Sequence, residues 1–227
     1  MIFLFQTAEI PEQISLYNSI MASAIEMGWV QWLAFLFSIT YVILAVKENV
    51  WCWFFGLIGV LLSFKVYVDV QLYSDAILQI YYAAMSIYGW WSWTQYKKNE
   101  NIDSKSLDIE AESGESKLSI TTWSLQNHLM VIGIGVILSF LLGYIWTYFD
   151  AALPYIDAFT TSFSVIATIM VARKILENWI YWIIIDFVCI FVYLHREIYL
   201  FSILFFIYLI VAIIGHFNWK KQYLSRE

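Results

Sequence analysis

Residues 177–186 read Glu177-Asn178-Trp179-Ile180-Tyr181-Trp182-Ile183-Ile184-Ile185-Asp186, and the same opening occurs earlier as Glu48-Asn49-Val50-Trp51-Cys52-Trp53. Each Glu-Asn pair stands at the start of an apolar run, with a Trp four residues after the Asn, and the two copies lie 129 positions apart. Tyr73 and Gly89 follow the first copy; Tyr199 and Gly215 follow the second with the same internal spacing. A membrane chain that repeats itself is commonly two bundles with a ligand bound between them. Transport is therefore the first functional expectation.

Composition sets the class. The chain has 227 residues, of which 62% are hydrophobic and 13% charged, and its mean hydropathy is +0.71. A soluble domain is about 45–50% apolar and about 25% charged, so this is an integral membrane protein. Aromatic residues make up 20%, with 12 Trp, more than interfacial belts require; some of the rings are expected to line a site. The net charge of -6 comes largely from an acidic, Ser-rich stretch between Glu100 and Glu115, read as a flexible linker. Nothing implies a nucleic-acid partner. Cys52 and Cys189 fall inside apolar segments and read as buried small hydrophobes. No basic region precedes an N-terminal apolar run and no cleavage site is evident, so no signal peptide is expected.

Seven stretches approach the roughly 20 apolar residues needed to span a bilayer: 29–46, 50–68, 72–94, 127–148, 158–174, 178–195 and 197–218. With seven spans, one side collects Lys47, Lys97, Lys98, Lys105, Lys117, Arg173, Lys174, Lys220, Lys221 and Arg226, leaving Lys65 and Arg196 on the other. The positive-inside rule makes the first side cytoplasmic, with the N-terminus outside and the C-terminus inside. Both Glu-Asn copies then lie on the cytoplasmic side, so the repeats are parallel and a lone fourth helix joins them. The expected plan is an interfacial segment (1–28), a first three-helix bundle (29–95), an acidic linker (96–126), a crossover helix (127–150), a second bundle (151–219) and a cytoplasmic tail (220–227).

Polar residues inside the spans mark the candidate site. Asn178, Trp182 and Asp186 share one helix face at i, i+4 and i+8, with Trp179 on its border. The stripe is about 12 Å long, roughly the length of a nucleoside. An ionisable group as deep as Asp186 is a site candidate by default, set against the alternative of a carboxylate buried for packing. A second stripe, Asp75, Gln79, Tyr82 and Ser86, lies on the third span and must face protein or water. Gln79 suits a carboxamide or ribose hydroxyls, or else a bond that holds the bundle together. Asn49 and Trp53 are read as first-copy counterparts of Asn178 and Trp182, with Leu57 opposite Asp186; Asn49 reads equally as a helix cap. At the end of the third span Tyr88 and Trp90 are expected to turn inward, while Trp91 and Trp93 anchor the membrane edge ahead of Lys97 and Lys98. Enzyme signatures are absent: there is no phosphate-cradling Gly-rich loop, and His128, His195 and His216 are scattered. Neither a cofactor nor a metal is expected.

Trp179-x-x-Trp182-x-x-x-Asp186 resembles the Trp-x-x-Trp-x-x-x-Asn/Asp motif of the PnuC vitamin transporters. The flanks are similar too: Arg173-Lys174-x-x-Glu177-Asn178-Trp179, Asp157-Ala158-Phe159, Gln71-Leu72-Tyr73, Gln79 and Tyr88-Gly89-Trp90. The resemblance runs over about residues 29–219. It implies a SWEET-like 3+1+3 all-helical transporter in a bacterial inner membrane, carrying nicotinamide riboside by facilitated diffusion, with trapping by a cytoplasmic kinase. By motif it implies Trp182, Asp186, Asn178, Trp179 and Gln79 as substrate residues. Residue chemistry agrees, since a Trp face attracts a flat cationic ring, but thiamine is also a flat cation. A carrier of thiamine or sugar, a membrane enzyme using Asp186 with a histidine, and a ligand-free helical protein remain as rivals, and a homo-oligomer is left open.

Overall fold

A computed structural model of the chain describes residues 28–69, 73–103, 118–149, 153–195 and 199–225, with positions 18, 20, 21, 24 and 25 before them. Most of the segment expected at 1–28, residues 104–117 of the acidic linker and the side chain of Asp75 lie outside the described residues. The fold is all-helical. Long helices run over α1 (Trp29–Val46), α2 (Cys52–Asp69), α3 (Tyr73–Asp103), α4 (Leu125–Thr147), α5 (Pro154–Ala172), α6 (Asn178–His195) and α7 (Tyr199–Leu224). All but α2 and α3 are long and apolar enough to cross a bilayer; the apolar part of α2 is shorter, and α3 is diluted by a polar C-terminal end rich in Gln, Lys, Asn and Glu.

The seven helices coincide with the seven stretches expected from hydropathy, and the differences have local causes. α3 and α7 continue past their apolar limits into Gln- and Lys-containing sequence, because these straight-chain residues are good helix formers. The first eight positions of the expected linker are thus helical. α5 starts earlier than hydropathy suggests, with Pro154 in its first turn, where the missing N–H costs nothing. Ser124 caps α4 by accepting the Asn127 N–H, and the chain just before it is not loose. Thr121 bridges Ile175 in parallel fashion, Ile120 is buried, and Trp123 N–H donates to Glu177 Oε2.

The duplication has one register, and it is not the register of the Glu-Asn pairs. α1 and α5 end 126 positions apart, at Val46 and Ala172; α2 and α6 begin 126 apart, at Cys52 and Asn178; α3 and α7 begin 126 apart, at Tyr73 and Tyr199. The packing repeats with the same offset. Gly89 lies under the Trp53 ring and Gly215 under the Trp179 ring. The counterpart of Trp53 is therefore Trp179, not Trp182; that of Trp182 is Gly56; that of Asp186 is Val60, not Leu57. The 129-residue spacing misleads because three residues is nearly one helical turn, so a shifted match still falls on almost the same face. Glu177 confirms the shift, since it serves α4 through Trp123 and His128, whereas Glu48 does not.

α1 packs on α2 and α2 on α3; α5 packs on α6 and α6 on α7; α4 packs on α5. Two crossings join the halves, α1 with α7 and α3 with α5, and each is the counterpart of the other. The end at which α1 and α5 finish, the capped end, holds the larger core. There Trp53 meets Trp93 edge-on at 5.4 Å, Trp179 meets Trp219 edge-on at 5.3 Å, and Trp93 and Trp219 meet each other at 6.4 Å. Trp93, expected at the membrane edge, is buried in this layer, while Trp91 is exposed. The indole of Trp93 donates to Ala172 O and that of Trp219 to Ala45 O, so each half sends an indole N–H to a carbonyl in the last turn of the other's helix.

Candidate substrate site

The α6 stripe is inside the protein. Asp186 is 2% exposed and its Oδ1 has no hydrogen-bond partner among the described residues, while Trp182 is half-buried beside it on the same face. Asn178 is fully buried; its Nδ2 donates to Ile175 O at 2.6 Å, and its Oδ1 has no partner among the described residues. A buried carboxylate and a buried amide oxygen left without protein partners are costly. Both point to a ligand or water meeting them. The Asp186 carboxyl also lies within electrostatic range of the Tyr208 hydroxyl.

Other expected residues are placed differently. Trp179 is 3% exposed, pressed between Gly215 and Trp219, and Trp53 is 1% exposed, pressed between Gly89 and Trp93. Both belong to the Trp layer of the capped end rather than to the stripe of Trp182 and Asp186. Asn49 is exposed and its Oδ1 accepts the Trp51 N–H at 3.0 Å, the capping geometry. Trp90 is half-buried and turns its ring to the exposed Trp51 at 5.3 Å; Tyr88 is half-buried against the Trp layer. Gln79 is buried and lines an apolar groove of about 210 Å³ with Val60, Leu61, Phe64, Ile80 and Ala83. Val60, in this groove, is the counterpart of Asp186, and Phe205 is the counterpart of Gln79.

The structure gives Tyr82 a neighbour and adds Ser164, Tyr208, Ser38 and Tyr41, which the sequence does not single out. The Tyr82 hydroxyl on α3 faces Ser164 on α5, and the Tyr208 hydroxyl on α7 faces Ser38 on α1. Tyr82 and Tyr208, and likewise Ser38 and Ser164, are 126 positions apart. The two contacts are counterparts that cross between the halves. Tyr41 fills the space beside Gly56, whose missing Cβ would stand 2.9 Å from that ring. The large aromatic group thus comes from α1 in the first half and from α6, as Trp182, in the second. A 126-residue register would have exposed all of these in the sequence.

The geometry describes a membrane bundle whose two halves enclose polar groups at mid-depth. A profile of the nicotinamide mononucleotide transporter family matches residues 28–221. The chain belongs to this family. It is a transporter, and not an enzyme. The nicotinamide riboside transporter PnuC of Escherichia coli (strain K12) is 25% identical over 228 residues, covering 95% of each chain. The PnuC protein of Neisseria mucosa is 26% identical over 203 residues, covering 84% of this chain and 72% of that one. The crystal structure of the vitamin B3 transporter PnuC superposes with a TM-score of 0.68 at 20% identity, covering 95% of this chain and 93% of that one. The fold is therefore that of PnuC, in agreement with the resemblance in the motifs.

Proposed function

We propose that the chain imports nicotinamide riboside by facilitated diffusion across a bacterial inner membrane. Trp182 stacks on the pyridinium ring, while Asp186, Asn178 Oδ1, Gln79 and Tyr82 hold the carboxamide and ribose hydroxyls. The single observation behind this reading is Asp186, buried with an unpartnered Oδ1 on the face of Trp182. A cationic nucleoside gives such a group its partner; a nucleotide brings a phosphate of about -1.5 to -2 charge to the same carboxylate. The riboside is therefore favoured over the mononucleotide that the family description names.

The architecture we infer is SWEET-like: seven spans, with α1–α3 and α5–α7 as parallel bundles and α4 as the crossover. The uniform 126-residue register and the paired crossings support it. The distribution of Lys and Arg supports a cytoplasmic capped end and C-terminus. A cytoplasmic kinase acting on the imported nucleoside would trap it.

Binding to the purified chain by Trp fluorescence, with nicotinamide riboside, nicotinamide mononucleotide, thiamine and riboflavin, tests the assignment. Undiminished riboside binding by Trp182→Ala overturns the site. Uptake into sealed, kinase-free vesicles tests the mechanism: accumulation above the outside concentration overturns facilitated diffusion.

A further inference from the structure

We propose that Glu48 and Lys174 form the latch that holds the two halves together at the capped end, and that it opens in each transport cycle; this rests on the transport reading above. Lys174 Nζ donates to Glu48 Oε2 at 2.6 Å, and the two side chains are 2% and 6% exposed. The ammonium also lies 4.6 Å from the centroid of the Trp93 ring. The two residues are counterparts, 126 positions apart. The duplication has put an acid on one half and a base on the other at the same point of the fold.

The backbone supplies an independent argument. After α1, Glu48 N–H donates to Ala45 O and Asn49 N–H to Leu44 O; after α5, Lys174 N–H donates to Val171 O and Ile175 N–H to Met170 O. Each pair is a Schellman cap, whose left-handed residue is usually glycine. Here those residues are Glu48, at φ 51°, and Lys174, at φ 52°. A side chain with a Cβ is strained in that region. The chain accepts that strain at two counterpart positions, and the two side chains it gains there meet each other.

Electrostatics makes the pair interdependent. A cation near a helix C-terminus is favourable and an anion there is unfavourable, so Lys174 is at home after α5 while Glu48 after α1 depends on Lys174. The pair is also remote from Asp186, at the other end of the stripe. Asp186 lies about 12 Å along α6 from Asn178, and Lys174 precedes Asn178. The Trp53–Trp93–Trp219–Trp179 layer belongs to the same end. A solute leaving Asp186 toward this end has to part the Trp layer and the ion pair together.

The test compares Glu48→Gln, Lys174→Gln and the exchanged pair Glu48→Lys/Lys174→Glu in the full chain. Nicotinamide riboside flux is measured in proteoliposomes, binding in detergent, and amide hydrogen exchange over 44–49 and 170–175 without ligand. Each single variant is expected to lower flux by about tenfold and to speed exchange at both helix ends, with binding within about twofold. The exchanged pair, whose lysine would lie over Trp219 as Lys174 lies over Trp93, is expected to recover both. Single variants with unchanged hydrogen exchange, or an exchanged pair no better than the singles, overturn the latch. Normal binding with normal flux in the singles overturns the latch and leaves the substrate assignment standing. Absence of riboside binding in the unaltered chain overturns the substrate assignment alone, and hydrogen exchange still decides the latch.

Discussion

The two halves of the transporter agree at one end and disagree in the middle. At the capped end they match position for position: Trp53 with Trp179, Trp93 with Trp219, Gly89 with Gly215, and the left-handed Glu48 with the left-handed Lys174. At mid-depth the crossing contacts Tyr82–Ser164 and Tyr208–Ser38 still match, but the residues around them do not. Trp182 faces Gly56 in the alignment of the halves, Asp186 faces Val60, and Gln79 faces Phe205. Matched residues make the packing contacts within each half and between the halves. Unmatched ones carry ring-stacking and hydrogen-bonding groups that an asymmetric ligand needs. On the proposed reading, the unmatched residues form the pocket.

The largest expected effect comes from breaking the matched part. A Cβ on Gly89 would stand 2.3 Å from the Trp53 indole, and one on Gly215 would stand 2.8 Å from the Trp179 indole. Neither buried indole can move without disturbing the Trp layer. Gly89→Ala is expected to destabilise the chain by about 3 kcal/mol and Gly215→Ala by about 1–2 kcal/mol, the range for overpacking a tight core. Thermal unfolding in detergent reads both. Equal melting temperatures for the two variants would show that the halves are packed alike and that the closer approach at Gly89 has no consequence.

The unmatched part should affect binding and leave stability nearly alone. Trp182→Ala is expected to weaken nicotinamide riboside binding by about 2 kcal/mol, roughly thirtyfold, through loss of stacking and cation–π attraction. Asp186→Ala removes the carboxylate and should cost about 1.5–3 kcal/mol of binding, the value of a hydrogen bond to a charged group. Asp186→Asn keeps one acceptor and should lose less than Asp186→Ala. A titration in which Asp186→Ala binds as tightly as the parent chain would return Asp186 to a packing role and remove the chemical distinction between the halves.

Much of this was legible before any coordinates. Seven apolar stretches gave seven helices because, in a bilayer, hydropathy and backbone satisfaction leave little else to form. The Trp182–Asp186 stripe was legible because polar groups on one face of an apolar helix are conspicuous. The register of the duplication was not. The Glu-Asn pairs looked alike in the sequence, yet Glu177 is tied to Trp123 and His128, and the true counterpart of Glu48 is a lysine. A contact between unlike charges leaves no trace of identity to align. Trp93 was also misread, since a Trp followed by lysines has the composition of an interfacial anchor; only the crossing of α3 with α5 reveals that its indole is buried on Ala172 O. Tyr82–Ser164 and Tyr208–Ser38 needed the 126-residue offset to be seen as a pair.

The smallest expected effect sharpens the comparison at its most ambiguous point, the two asparagines. Asn49 and Asn178 open the same sequence motif, but they do different work. Asn49 is exposed and caps the start of α2 through Trp51 N–H, whereas Asn178 is buried, braces the loop through Ile175 O and keeps a free carbonyl oxygen. Asn49→Ala should therefore cost about 1 kcal/mol of stability, the worth of a helix cap, and leave riboside binding unchanged. Asn178→Ala should weaken binding as well, since it removes a carbonyl that the protein itself does not satisfy. If both substitutions lowered binding equally, the motif match at 129 residues would carry function after all, and the 126-residue register would describe packing alone.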